Sequence, residues 1–401
     1  MRKDWEYKKL GEVVAPKNQI KRASKCFNKT DIIKYLDISS IDNSKYQISA
    51  YTEYALENAP SRAQQKVEIN DIIISLVRPN LKNIARIEIN DHSLVASSGF
   101  CVLRSTELID NNYLFYFISS QKYTDYLVGV TAGANYPAVK ESDIRDSLIP
   151  IPPKPTQQAI VAELDKLNEM IRLKKQQLED YDQLAQSIFY EMFGDPVENE
   201  KGWEVKKLGS LCSLISNGNT PKGGSEVYVD KGILFLRSQN VWKNKIDLDD
   251  VAQIDESTHK LMNKSALKHN DLLITKTGRI NTENSSLGRT ALFEGEDGSA
   301  NINGHVYLVR LKKGMNHKFI LYILISDSYR ELIRKSCVGG IDKRQLNKNH
   351  IEDFPIIFPP LELQQKYAQR INNIEQQKLQ VKATIKDLET LLASRMQYWF
   401  D

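Results

Sequence analysis

Two stretches of the chain place apolar or long-stemmed residues at alternating steps of four and three. The first runs Ile160, Leu164, Leu167, Ile171, Lys174, Leu178, Tyr181, Ala185, Ile188. The second runs Tyr367, Ile371, Ile374, Lys378, Val381, Ile385, Leu388, Leu392, Arg395. Neither contains Gly or Pro, and the spacing is the narrow a/d seam of a helix that buries one stripe against a partner helix. Each predicts a helix of about 35 residues, a rod of roughly 50 Å. Proline clusters precede both, Pro150, Pro152, Pro153 and Pro155 before the first and Pro355, Pro359 and Pro360 before the second. They end the preceding globular part, because proline removes backbone donors and fixes φ. Upstream, the pattern changes to short β-rich runs at 71–77 (DIIISLV) and 99–104 (GFCVLR), separated by turn residues and interrupted by a helical stretch at 113–127. That pattern predicts a mixed α+β domain.

The chain is written twice. Trp5-Glu6-Tyr7-Lys8-Lys9-Leu10-Gly11 returns as Trp203-Glu204-Val205-Lys206-Lys207-Leu208-Gly209, a shift of 198. The 70–74 run NDIII matches NDLLI at 270–274, Val102-Leu103-Arg104 matches Leu308-Val309-Arg310, and Gly133, Pro152 and Pro153 meet Gly340, Pro359 and Pro360. The shift grows along the chain to 207, as it does when one copy gains a few loop residues. The two helical seams superpose at 207 without gaps. The fold class expected is therefore α+β: a tandem duplication of a mixed domain, each copy followed by a long helix. The two helices pair as an antiparallel coiled coil with pseudo-twofold symmetry. The boundaries expected are domain one at 1–154, helix one at 155–194, a polar linker at 195–202, domain two at 203–358 and helix two at 359–401.

Charge matters only once it is divided this way. The 401 residues hold 55 Lys plus Arg against 51 Asp plus Glu, a net charge of +4. The globular parts 1–154 and 201–358 carry +3 and +6, whereas 155–200 and 359–401 carry −6 and +1. Phosphate binding draws on Lys and Arg, so a nucleic acid is expected across the domains, and the helices read as protein–protein surface. The four cysteines form no CxxC pair, which excludes a disulfide framework or zinc motif and fits a reducing cytoplasm. No signal peptide pattern opens the sequence, and no run approaches a membrane span.

No catalytic constellation is expected. SNGNTPKGGS at 216–225 is glycine-rich but lacks phosphate-loop spacing, and the six histidines have no metal-ligand spacing. Asp271 with Lys276 suggests a nuclease pair, but copy one has Asp71 with Leu76, so a buried strand end is the better reading. What remains is donor-rich loops. Copy one delivers Arg78, Asn80, Lys82 and Asn83 as it leaves the strand at 71–77; copy two delivers Lys276, Thr277 and Arg279 at the corresponding place. Copy two adds Thr220 and Lys222, then Arg237, Ser238 and Asn240. Asn135 and Lys343, each just past one of the matched glycines, complete the DNA-binding set. Arg pairs with guanine, Asn with adenine, and Lys with guanine or phosphate. The framework matches while the loop residues differ, as expected if each copy reads a different short sequence.

With these motifs the sequence resembles the specificity subunits of type I restriction–modification systems. The resemblance rests on the W-x-x-K-K-L-G openings, the strand and loop at 71–80, the N-G-N-T-P segment at 217–221 and the P-P-x-x-x-Q-Q helix entries. The last pair Pro152-Pro153 with Gln157-Gln158 and Pro359-Pro360 with Gln364-Gln365. It implies that each globular part is a target recognition domain for half of a split DNA site. It implies also that the helices dock two methyltransferase subunits, with restriction subunits joining them. S-adenosylmethionine, ATP and Mg²⁺ are then expected on those partners and no cofactor on this chain. Copy one departs from the pattern, with Lys17-Asn18-Gln19-Ile20 where copy two has its G-x-T-P. The alternatives are the recognition subunit of a methylation-only or other restriction-type system, and a coiled-coil adaptor that holds proteins.

Overall fold

The computed structural model describes residues 5–131, 137–279, 282, 284–340 and 343–401. The chain divides into two units, Met1–Lys175 with Ala383–Asp401 and Gln176–Lys382. Each unit holds one copy's globular domain, the beginning of the long helix that follows it, and the end of the other copy's helix.

The first unit is built on two larger sheets. One has the order Thr52–Ala55, Ile32–Leu36, Leu94–Ser97, Ala63–Lys66, and the other Phe100–Leu103, Ile72–Ser75, Ile84–Arg86. Only Ile32–Leu36 and Leu94–Ser97 pair in parallel; the other neighbours are antiparallel. The run of isoleucines after Asp71 is unbroken because the strand is buried on both faces. Ile73 joins Leu36, Val67, Ala96 and Val102 in one core. Ile72 and Ile74 join Leu10, Leu103, Tyr113, Ile160 and Phe400 in the other. Successive strand residues point to opposite faces, so a strand between two cores must be apolar throughout.

The second unit repeats this arrangement. Its two larger sheets have the orders Ala252–Ile254, Tyr228–Leu236, Ala300–Ile302 and Cys212–Asn217, Val306–Leu311, Leu272–Thr275, Thr290–Leu292. Leu273 faces one core with Leu236 and Leu308, and Leu272 and Ile274 face the other with Val309, Phe319 and Tyr367. The helical stretch expected at 113–127 is two helices, Asn111–Ser119 and Gln121–Gly129. Ser120 breaks them by accepting the Tyr123 N–H at 3.2 Å on its hydroxyl. His317–Leu324 and Asp327–Ser336 repeat the break, with Ser326 capping Tyr329. Serine competes for backbone donors in this way and favours helix starts over interiors.

The openings and helix entries that recur in sequence are architectural. Glu6–Lys9 pairs with Leu148–Ile151, and Val205–Lys207 with Pro355–Ile357. Lys9 and Lys207 reach Asp146 and Asp353 at 2.9 and 2.7 Å. Gly11 and Gly209 stand where a Cβ would press to 3.2 and 3.1 Å on the carbonyls of Arg145 and Glu352. Gln157 and Gln364, both buried, donate to the carbonyls of Pro152 and Pro359 at 2.9 and 2.8 Å and so fix the angle at which each helix leaves its domain.

The long helices are Lys154–Phe193 and Leu361–Phe400. Within the first unit Glu163 meets Arg395, and Leu167 and Ile171 pack on Leu388. Within the second, Asp182 meets Lys378 at 2.7 Å and the Ala185 carbonyl accepts the Tyr367 hydroxyl at 3.3 Å. In both units partners run in opposite directions, so the pairing is antiparallel. Lys378, in the middle of the seam, is buried but held by Asp182 and by Glu375 at 3.2 Å. Burial works against its charge; the two carboxylates outweigh it and leave the amine above its ordinary value.

Candidate nucleic-acid interface

The recurrent aspartates are structural. Asp271 is buried and accepts two bonds from Arg310, at 2.8 and 2.7 Å, and the Lys268 N–H at 2.6 Å. Asp71 does the same with Arg104, at 2.7 and 2.8 Å, and with the Glu68 N–H at 2.8 Å. Bonding to Asp71 raises the Arg104 guanidinium above its ordinary value. A carboxylate filled in this way is the anchor of a strand entry, and the nuclease reading of Asp271 with Lys276 has no free acid to use.

In the second unit the donor-bearing segments meet around one turn, Asn303-Gly304-His305, between strands Ala300–Ile302 and Val306–Leu311. The Lys276 N–H donates to the His305 carbonyl at 2.8 Å, and Thr277 Oγ1 lies 3.5 Å from His305 Nδ1. The Asn303 N–H donates to the Leu236 carbonyl at 3.0 Å, which brings Arg237 alongside. The Gly218 N–H donates to the Val306 carbonyl at 3.2 Å, and a Cβ on Gly304 would lie 4.0 Å from Thr220 Oγ1. Thr277–Gly278 pairs with Lys343–Gln345, which pairs in turn with Val338–Gly340. Residues of three predicted stretches, 219–222, 237–240 and 276–279, therefore converge with the strand that begins at predicted Lys343. Thr220, Lys222 and Arg279 are exposed, and Lys276 and Thr277 half-exposed. The Lys276 amine stands 5.8 Å from the centre of the Tyr307 ring.

Two of the expected residues are buried. Asn240 is buried, accepts the Arg237 N–H at 2.9 Å and donates to the carbonyls of Asp247 and Asp250 at 3.0 and 3.2 Å. It caps a turn and has nothing left for a base. Asn83 is also buried, at the start of a strand edge where its carbonyl accepts the Ser75 N–H at 2.9 Å. Arg237 is partly committed too, donating to the Asp250 carbonyl at 2.5 Å and pairing with its carboxylate at 3.3 Å. Ser238 opens the short turn that Asn240 closes and is half-exposed.

The first unit places its loop equivalently. The Leu76 N–H donates to the Gly99 carbonyl at 2.9 Å, the Arg78 N–H to the Pro137 carbonyl at 2.8 Å, and the Val139 N–H to the Leu76 carbonyl at 2.8 Å. Gly99 thus stands where His305 stands in copy two. Arg78 and Asn80 are exposed; Arg78 and Lys82, with φ of 50° and 51°, bracket the short turn Pro79–Leu81 in left-handed conformations. Lys82 is half-buried, and desolvation pulls its amine below the ordinary lysine value against the opposing effect of Asp125. Exposed Arg62, whose carbonyl accepts the Ser98 N–H at 2.8 Å, borders the turn at Ser98-Gly99. Asn135 lies outside the described residues, as does the identity of any contact by the Lys343 side chain.

His305, Asn303 and Arg62 had no signal in the sequence. They belong to turns that become neighbours of the loops only through strand pairing between distant segments. Among the described residues no group of His, Cys, Asp and Glu could hold a metal ion, and no helix is long and apolar enough to cross a membrane.

Comparison with known proteins gives the same two-part division. The type I restriction modification DNA specificity domain matches residues 2–180 and again 200–390. The MjaIX specificity subunit of a type I restriction enzyme from Methanocaldococcus jannaschii is 23% identical over 385 residues, 91% of this chain and 85% of that protein. The EcoKI specificity subunit from Escherichia coli strain K12 is 23% identical over 361 residues, 86% of this chain and 76% of that protein. A chain solved in a study of complex assembly and conformational transition in a type I restriction–modification system superposes with a TM-score of 0.60 at 26% identity, covering 100% of this chain and 98% of its own. The S subunit from M. genitalium, at 14% identity and a TM-score of 0.50 over 100% of this chain and 98% of its own, shares the fold. Matched in both copies, the chain belongs to the type I restriction–modification DNA specificity family, as a non-catalytic recognition subunit with two specificity domains.

Proposed function

We propose that each domain reads one half of a split DNA target and that the paired helices set an unread gap between the halves. Arg78, Asn80 and Lys82 serve the first half-site; Thr220, Lys222, Ser238, Lys276, Thr277, Arg279 and Lys343 serve the second, with Arg237 beside them. The observation that carries this reading is the duplicated loop bearing, in equivalent backbone positions, Leu76-Val77-Arg78 in one copy and Lys276-Thr277-Gly278 in the other. One framework with two sets of donors suits two different short sequences. The net charges of +3 and +6 on the domains, against −5 on the helices together, support DNA across the domains.

The helices dock two methyltransferase subunits, which carry S-adenosylmethionine and methylate adenine in each half-site. Restriction subunits with ATP and Mg²⁺ join the same assembly in the cytoplasm. Mapping methylated adenines in a genome that expresses this chain with its methyltransferase partner tests the reading. Two unequal motifs at fixed separation are expected, and one uninterrupted motif would sink it. Removal of one heptad from both helices should shorten the gap or abolish binding; an unchanged gap would separate the helices from the spacing.

A further inference from the structure

The turn around which the second domain's donor stretches converge carries an exposed side chain of its own, and copy one has nothing there. His305 is exposed, and its backbone is fixed at three points. Its carbonyl accepts the Lys276 N–H at 2.8 Å, its own N–H donates to Asn303 Oδ1 at 3.0 Å, and Asn303 is tied to Leu236. Neighbouring Gly218 is obligatory for this geometry, since a Cβ there would fall 2.0 Å from the Ile302 carbonyl oxygen. The turn is therefore a rigid floor beneath 218–222, 237 and 276–279. Thr277 Oγ1 lies 3.5 Å from His305 Nδ1. A hydroxyl proton donated to Nδ1 leaves the imidazole's own proton on Nε2 of this exposed ring.

We propose that His305 is a specificity-determining residue of the second half-site, donating Nε2–H to a base acceptor in the major groove, with Thr277 as the positioning residue that sets its tautomer. The acceptors available are purine N7, guanine O6 and thymine O4. This rests on the DNA-reading function proposed above. At the equivalent place Gly99 offers only backbone, so the first half-site lacks this contact.

The test selects bound sequences from duplex pools randomised in both half-sites, using the full chain in complex with its methyltransferase subunits. His305→Gly, which installs the residue copy one uses, should lose roughly three- to tenfold of its preference at one position of one half-site, the range of a single hydrogen bond. His305→Ala should do the same, and an unchanged melting temperature should accompany both. Thr277→Val should weaken preference at that same position, and Thr277→Ser should restore it. An unchanged selected motif overturns the proposal, as does an equal loss of affinity on all sequences. Relaxation in the half-site that Arg78→Ala relaxes also overturns it. A wild-type complex that selects no sequence would instead remove the DNA-reading function itself, so the two failures are distinguishable.

Discussion

The two copies share a pair of sheets but complete opposite edges of it. In copy one Ala63–Lys66 pairs with Leu94–Ser97 and widens the first sheet to four strands. In copy two the same contact shrinks to a single bridge between Ala266 and Asn301. There the added strand is Cys212–Asn217 on the other sheet, which copy one represents by the bridge between Val14 and Ser105. Backbone groups at an edge must still be satisfied. Copy one does this with a side chain: the Gln65 amide donates to the carbonyls of Ser97 and Phe100, both at 2.8 Å. The cores and their Asp–Arg anchors are nearly interchangeable, and the edges that border the proposed reading loops are not. Reading surfaces can then diverge without touching what holds the domains together.

The strongest way to break this comparison is at the anchors, where the copies should behave alike. Asp71→Ala and Asp271→Ala each strand a partly buried guanidinium and one backbone donor, the Glu68 N–H in copy one and the Lys268 N–H in copy two. Each should destabilise its own domain by about 2–4 kcal/mol. Two-transition denaturation of the single variants checks it, and a large cost in one copy with none in the other would deny the equivalence.

A smaller, copy-specific effect is expected at the edges. Gly218→Ala must push residues 217–221 off Ile302 and Asn303. It should cost about 1–3 kcal/mol through overpacking and erase preference in the second half-site while leaving the first intact. Its opposite number is Gln65→Leu, which leaves two carbonyls of copy one without a donor at about 1–3 kcal/mol. Domain-resolved hydrogen exchange should show each variant loosening only its own edge.

Much of the scaffold was legible because it is local. The seam of alternating four and three, the double-faced apolar strand after each Asp71-like residue, and the proline–glutamine entries each write their physics into a few consecutive residues. The reading surface was legible only in part. Arg78 and Lys276 follow a strand whose end is visible in sequence. Asn83 and Asn240 look identical in composition to surface donors, yet both are buried; Asn240 shows why, since a short polar side chain is as good at closing a turn as at meeting a base. His305 was invisible for the converse reason: pairing of Val306–Leu311 with strands some thirty and ninety residues earlier brings it beside Thr277 and Gly218. The break at Ser120 fell between the two, since serine is tolerated in helices until its hydroxyl takes the next turn's donor.

The smallest effect separates the two helix junctions. In the first unit the end of the second helix is held by Phe400 on Tyr113, by Trp399 stacked on Trp5 at 6.3 Å, and by Glu163, which pairs with Arg395 and accepts the Trp399 ring N–H at 3.0 Å. At the shift of 207 the second unit has Arg370, Ile188 and Met192 instead, and its junction is the aromatic cluster of Phe189, Phe193, Phe319 and Tyr367. The bond from Arg395 holds the Glu163 carboxyl below its ordinary value of 4.5. A depressed carboxylate contributes stability that is present above the unfolded value and is lost as pH falls through the folded one. Acidification below about 4.5 should therefore loosen the first junction before the second. Because the pair is partly exposed to solvent, Glu163→Gln should cost no more than about 1 kcal/mol at neutral pH and should remove that acid-induced change in Trp399 fluorescence. An acid response that survives the substitution would place the titrating group elsewhere and leave the two junctions equivalent in this respect.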